Sequence, residues 1–182
     1  MKYAPVVVRG MGDKRFEVRL GEALRERGET IAVAESCTGG LVGSTITDVP
    51  GASEYFVGGI IPYTVRSKLH SLAVSQEALD AHGPVSRPVA AEMASHIRDR
   101  AEASWGVSTT GYAGPEGGDD QPVGTVFIGV AYAGSEPRSP FTNVGHHRFD
   151  GARYETKARI ARQALRSVLD EIETVERSKG AD

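Results

Sequence analysis

A single cysteine among 182 residues excludes an internal disulfide and a thiolate metal cage, which leaves Cys37 as a lone thiol or as packing. No apolar run reaches the roughly 18 residues that a membrane-spanning helix needs. The opening MKYAPVVVRG lacks the longer apolar stretch and cleavage pattern of a secretory leader, so the chain reads as cytoplasmic. Neither sign of charge dominates: 21 basic residues face 24 acidic ones for a formal net charge of -3, with no long block of like charge. That balance argues against a nucleic-acid or membrane-surface binder and points to a small-molecule partner. Several catalytic signatures are also missing. There is no GxxxxGK[ST] phosphate loop, no GxGxxG, no GxSxG elbow, no HExxH and no serine followed three positions later by lysine. His146 and His147 are adjacent on an expected strand and so point to opposite faces, and His70, His82 and His96 have no ligating spacing. No metal site is expected.

A length of 182 residues suits one domain, and 40% hydrophobic content supplies a core. Helical spacing runs over Glu17–Arg27, ending at Gly28, and TIAVA then reads as a short buried strand. A helix is expected over Leu41–Val49, a strand over Tyr55–Tyr63 interrupted at Gly58-Gly59, and a short helix over Thr64–Leu72. Ser75 is expected to cap QEALDAH, and Ser86 a longer helix with Pro88 in its first turn, running to about Ala103. WGVSTTG, GTVFIGVAYAG and FTNVGHHRF read as strands, the last two antiparallel and GTVFIGVAYAG central. A final helix carries Ile160, Ala161, Ala164, Leu165, Val168, Leu169 and Ile172 on one face, with a frayed tail ERSKGAD. Alternating strands and helices followed by a hairpin predict a layered α/β fold of α+β character with a mixed sheet.

Three stretches have the composition of a reaction site. AESCTGGL, residues 34–41, gathers small polar groups where a strand gives way to a helix. Ser36 there is either a capping residue or a nucleophile attacking an electrophile whose developing oxyanion would meet backbone amides near Thr38, Gly39 and Gly40. GGIIPYTVRSKL offers Tyr63 and Lys68 at a second strand-to-helix turn. Lys68 serves as the base for Ser36 if neighbouring strands bring both turns to one edge and burial lowers its pKa; otherwise it is a solvated lysine. TTGYAGPEGGDDQPVGT, residues 109–125, combines the hydroxyls of Thr109 and Thr110 with open glycine amides, a cradle for phosphate or ribose or else a hairpin loop.

Together, AESCTGGLVGSTITDVPGASEYFVGGIIPYTVRSKL, HGPVSRPVAAEMA and TTGYAGPEGGDDQPVGTVFIGVA resemble the CinA C-terminal domain family, whose characterised enzymes are nicotinamide-mononucleotide amidohydrolases. The resemblance covers about residues 17–172 of a chain read as one domain over 1–182, with the N-terminal extension and the tail peripheral. It implies a three-layer α/β/α-like domain standing alone, self-associating as a dimer or trimer, without a cofactor. Carried across, the nucleophile is Ser36, the active-site tyrosine Tyr63 and the lysine Lys68, with oxyanion amides around Cys37, Thr38, Gly39 and Gly40. The substrate loop comprises Thr109, Thr110, Gly111, Tyr112, Ala113, Gly114, Pro115, Gly117 and Gly118, and Arg153 stands where the family has an arginine at the start of its last helix. The implied reaction is deamidation of a pyridine mononucleotide in nucleotide salvage. Two positions depart from the family pattern: Val65 replaces an asparagine and Tyr112 an Ile or Val. The alternative is a non-catalytic nucleotide-binding or regulatory protein on the same scaffold.

Overall fold

Five residues buried on both faces, Ile31–Glu35 (β1), organise the rest of the computed structural model. It describes residues 16–118, 120–135 and 139–177. The expected N-terminal extension lies almost wholly outside them. Period-two alternation along β1 divides the core. Ile31 and Val33 face one apolar cluster, while Ala32 and Ala34 face the other.

The elements follow in the order α1 (Phe16–Arg27), β1, α2 (Leu41–Thr47), a 3-10 turn (Ala52–Glu54), β2 (Phe56–Ile60), α3 (Val65–Leu72), α4 (Gln76–His82), α5 (Arg87–Arg100), β3 (Trp105–Gly111), β4 (Thr125–Tyr132), β5 (Phe141–Arg148) and α6 (Arg153–Arg177). The sheet order is β2-β1-β3-β4-β5. β1 pairs parallel with β2 and β3, and the β3, β4 and β5 pairs are antiparallel. α1, α2 and α6 cover the face carrying Trp105, Val107, Ile128 and Val130. Leu72 of α3, Leu79 of α4, and Val89, Met93 and Ile97 of α5 cover the other face. This is a mixed α+β sheet between two helical layers, as expected, with β3 rather than β4 at its centre.

Gly58-Gly59 does interrupt β2. The register slips between Ile31 opposite Phe56 and Ala32 opposite Gly58, leaving Val57 bulged. A Cβ at Gly59 would stand 2.3 Å from the Val33 side chain, so bare backbone is what lets β2 lie against β1. Strand β2 is therefore shorter than the expected 55–63, and the chain turns at Pro62 into the site.

Of the two expected serine caps, one forms. Ser75 accepts from the Ala78 amide as a cap should. Ser86 does not cap α5; its hydroxyl donates to the Gly83 carbonyl, tightening the preceding turn instead. Helix α5 stops at Arg100, because Glu102 takes a left-handed conformation. Helix α6 runs to Arg177, past the point where fraying was expected, because Ile172 and Val175 remain buried; the rest of the tail lies outside the described residues.

The contact of α5 with β3 is the tightest between layers. Ser108 donates to the Ala90 carbonyl at 2.6 Å, and a Cβ on Gly106 would come 2.1 Å from the Ala94 carbonyl oxygen. Overpacking of that kind costs about 1–3 kcal/mol. Gly106→Ala is therefore expected to lower unfolding free energy by roughly 2 kcal/mol in a denaturant titration. An unchanged midpoint would show that α5 backs away freely.

Candidate active site

Parallel pairing of β2, β1 and β3 brings their C-terminal ends to one edge of the sheet, the place where open α/β sheets bind ligands. Ser36 follows β1, Tyr63 and Lys68 follow β2, and the glycine loop follows β3. The Ser36 amide donates to the Thr109 carbonyl at 2.9 Å, carrying the β1–β3 ladder one residue beyond Glu35. Both turns thus reach one edge of the sheet, the first of the two conditions set on Lys68.

Lys68 Nζ lies 2.8 Å from Ser36 Oγ and 3.1 Å from the Pro62 carbonyl oxygen. The side chain is 2% exposed, and burial lowers its pKa from 10.5 to about 8. At that value a substantial neutral fraction exists near neutrality. The neutral amine keeps an N–H for Pro62 and offers its lone pair to the Ser36 hydroxyl. Cys37 beside it is pushed up to about 12, chiefly by burial, which keeps it a thiol.

The turn itself is built by Glu35, a residue given no role from the sequence. Its carboxylate, 1% exposed, accepts from the amides of Gly40, Val42 and Gly43 at 2.8–3.0 Å. A charged acceptor at a helix start satisfies donors that no backbone carbonyl reaches. An acidic residue closing a strand a few positions before a helix was the available signal. Because Gly40 gives its amide to Glu35, it drops out of the expected oxyanion set, and of Cys37, Thr38 and Gly39 only Cys37 lines the cavity beside Ser36.

A cavity of about 270 Å³ opens over this pair. Of the expected residues, Ser36, Cys37, Tyr63, Lys68, Thr110, Gly111, Tyr112, Ala113, Gly114 and Arg153 line it. Val65, Pro84, Val85 and Glu116 line it too; only Val65 among these was singled out from the sequence.

Other expected residues serve the framework instead. Thr109 and Thr38 share a hydroxyl-to-hydroxyl bond of 2.7 Å, and Thr110 Oγ1 donates to the Pro84 carbonyl, so neither hydroxyl of the Thr109-Thr110 pair is free to cradle a ligand. Gly117 and Gly118 lie outside the cavity lining: the Gly118 amide donates to Gln121, folding the loop on itself. Tyr63 is 54% exposed, and its hydroxyl accepts from Arg153 at 2.9 Å rather than bonding Ser36 or Lys68. Arg153 also donates to the Gly114 carbonyl, so it ties the β2–α3 turn to the glycine loop across the mouth of the cavity. His146 stacks on Phe127 while His147 packs by Phe149, on opposite faces of β5 as the alternation requires.

Among the described residues no helix is long and apolar enough to cross a membrane. The family model for the CinA C-terminal domain matches residues 13–172. A CinA-like protein of Chlorobium limicola is 46% identical over 165 residues, 90% of this chain and 38% of that protein. A CinA-like protein of Crocosphaera subtropica is 43% identical over 161 residues, 88% of this chain and 39% of that protein. The chain thus spans under two fifths of the length of these curated relatives. A crystal structure of a CinA superfamily protein from Klebsiella pneumoniae superposes with a TM-score of 0.82 at 29% identity, covering 87% of this chain and 96% of that one. A competence/damage inducible protein from Agrobacterium tumefaciens gives 0.77 at 31% identity, covering 89% and 98%. With the match extending over nearly every element that builds the cavity, the chain belongs to the CinA C-terminal domain family.

Proposed function

We propose that the protein is an amidohydrolase that deamidates a pyridine mononucleotide, with nicotinamide mononucleotide as the substrate expected from the family resemblance. The observation that carries this reading is the buried 2.8 Å contact between Lys68 Nζ and Ser36 Oγ, both of which line a cavity of about 270 Å³. Neutral Lys68 takes the Ser36 proton as the oxygen attacks the carboxamide carbon. Charge developing on the carbonyl oxygen is met by the backbone amide of Cys37, the member of the expected oxyanion set that lines the cavity. Collapse breaks the C–N bond, and the Lys68 ammonium returns its proton to the departing nitrogen, which leaves as ammonia. A water molecule, deprotonated by Lys68, then hydrolyses the serine ester to the carboxylic acid and regenerates Ser36. Every step uses protein groups and water alone.

A second reading, a nucleotide-binding protein without turnover, draws on Val65. It lines the cavity where the resemblance leads one to expect an asparagine, and so offers no hydrogen bond to a ligand there.

The deciding assay is ammonia release from nicotinamide mononucleotide by the wild type and by Ser36→Ala. Turnover confined to the wild type is the expected result. No turnover in either protein, with the mononucleotide still raising the melting temperature, would establish the binding reading. Lys68→Ala should lose roughly 10²–10⁴-fold in kcat. Cys37→Ala should retain it, because a thiol pushed up to about 12 supplies no thiolate. A Cys37→Ala protein as slow as Lys68→Ala would transfer the nucleophile's role to sulfur.

The pH dependence follows from the same lysine. Turnover should rise with pH through about 8 as Lys68 loses its proton. Stability moves in the same direction. Between about 8 and 10.5 the unfolded chain holds a proton at Lys68 that the folded chain has released, so folding becomes more favourable as pH rises. Below that window the whole penalty of the buried ammonium is present. The unfolding free energy of wild type minus that of Lys68→Met should therefore climb across the window and level off above it. A flat difference would show Lys68 titrating alike in both states.

A further inference from the structure

An arginine at a helix start is a reasonable phosphate ligand, but Arg153 is already engaged within the protein. Each terminal nitrogen of its guanidinium already gives one of its two N–H groups to the protein, one to the Gly114 carbonyl and the other to the Tyr63 hydroxyl. One helical turn along α6, at a spacing that puts side chains on the same face, stands Lys157. It is half-buried, and its Nζ lies 3.4 Å from the place a Cβ would occupy on Gly39. Among the described residues no hydrogen bond or ion pair engages that ammonium. Glu35, the carboxylate of the same turn, is spent on three backbone amides. Gly39 is three residues from Ser36, a chain distance of at most roughly 10 Å. A half-buried cation with no counter-charge, this close to a nucleophile, is stabilised by whatever anion arrives beside it.

We propose that Lys157 is the substrate-binding cation that takes the 5′-phosphate of the mononucleotide, while Arg153 is a positioning residue that straps the Tyr63 turn to the Gly114 loop. The inference rests on the pyridine-mononucleotide reading and names the group that recognises the phosphate. The ammonium donates to non-bridging phosphate oxygens while the ring carboxamide reaches Ser36 at the cavity floor. Specificity for a phosphorylated substrate then resides on α6 rather than in the glycine loop, whose Thr109 and Thr110 hydroxyls are committed elsewhere.

The test is equilibrium binding of nicotinamide mononucleotide and of the phosphate-free nicotinamide riboside to Ser36→Ala protein, with and without Lys157→Met or Lys157→Arg. Lys157→Met should weaken the mononucleotide by roughly tenfold or more and leave the riboside unchanged, and Lys157→Arg should restore much of the loss. In the otherwise wild-type enzyme the same substitution should raise KM for the mononucleotide with kcat near normal. Equal mononucleotide affinity with Met or Lys at position 157 would overturn the assignment while sparing the substrate reading. Parallel loss of both ligands would also overturn it, by showing that Lys157 supports the site as a whole. Failure of the parent Ser36→Ala protein to bind the mononucleotide would remove the substrate reading and the Lys157 assignment with it.

Discussion

Everything in the site depends on a lysine held where its charge is poorly tolerated. Lys68 is packed against Ser36 Oγ and the Pro62 carbonyl, and burial draws its pKa down to about 8. A buried carboxylate in contact with it would hold the proton on; instead Glu35 is turned away, onto the start of α2. The same turn thus keeps one charge fully occupied so that the neighbouring one can act as a base. The start of α2, Ser36 and Lys68 form a single local arrangement, and the strand order is what assembles it.

Two ties hold that arrangement open to ligand. The Ser36 amide is bonded to β3, and the Thr38–Thr109 hydroxyl pair fastens the turn a second time. Across the cavity, Arg153 joins Tyr63 to Gly114. The floor is therefore fixed by strand pairing, whereas the mouth is fixed by one exposed side chain from α6. Binding energy from a ligand's distant end can act on the mouth without disturbing the Ser36–Lys68 contact.

Much of this was legible in the residues. The apolar run in TIAVA marked a buried strand and the helical repeat of Ile160 through Ile172 a covering helix, and Gly58-Gly59 marked an interruption of β2 that the structure shows as a register slip with close approach to β1. Ser36 and Lys68 were recognisable as partners once β1 and β2 were supposed adjacent and parallel, but pairing is a long-range property that local spacing does not encode. For the same reason the residues alone leave a ligand cradle at Thr109 and Thr110 open beside a plain hairpin loop: the partners of these hydroxyls, Thr38 and Pro84, are 71 and 26 residues away. Ser86 looked like a cap because its residue type suits one, yet a nearby carbonyl captured the hydroxyl. Glu35 escaped notice because a carboxylate ending a buried strand has no periodicity to mark it.

The most direct measurement of the central claim is an NMR titration of the Lys68 side chain, isotope-labelled at lysine and assigned by comparison with Lys68→Met. A midpoint near 8, set by burial beside Ser36, is the predicted result. A midpoint at or above the ordinary 10.5 would mean that Lys68 stays charged at neutral pH and cannot be the base for Ser36.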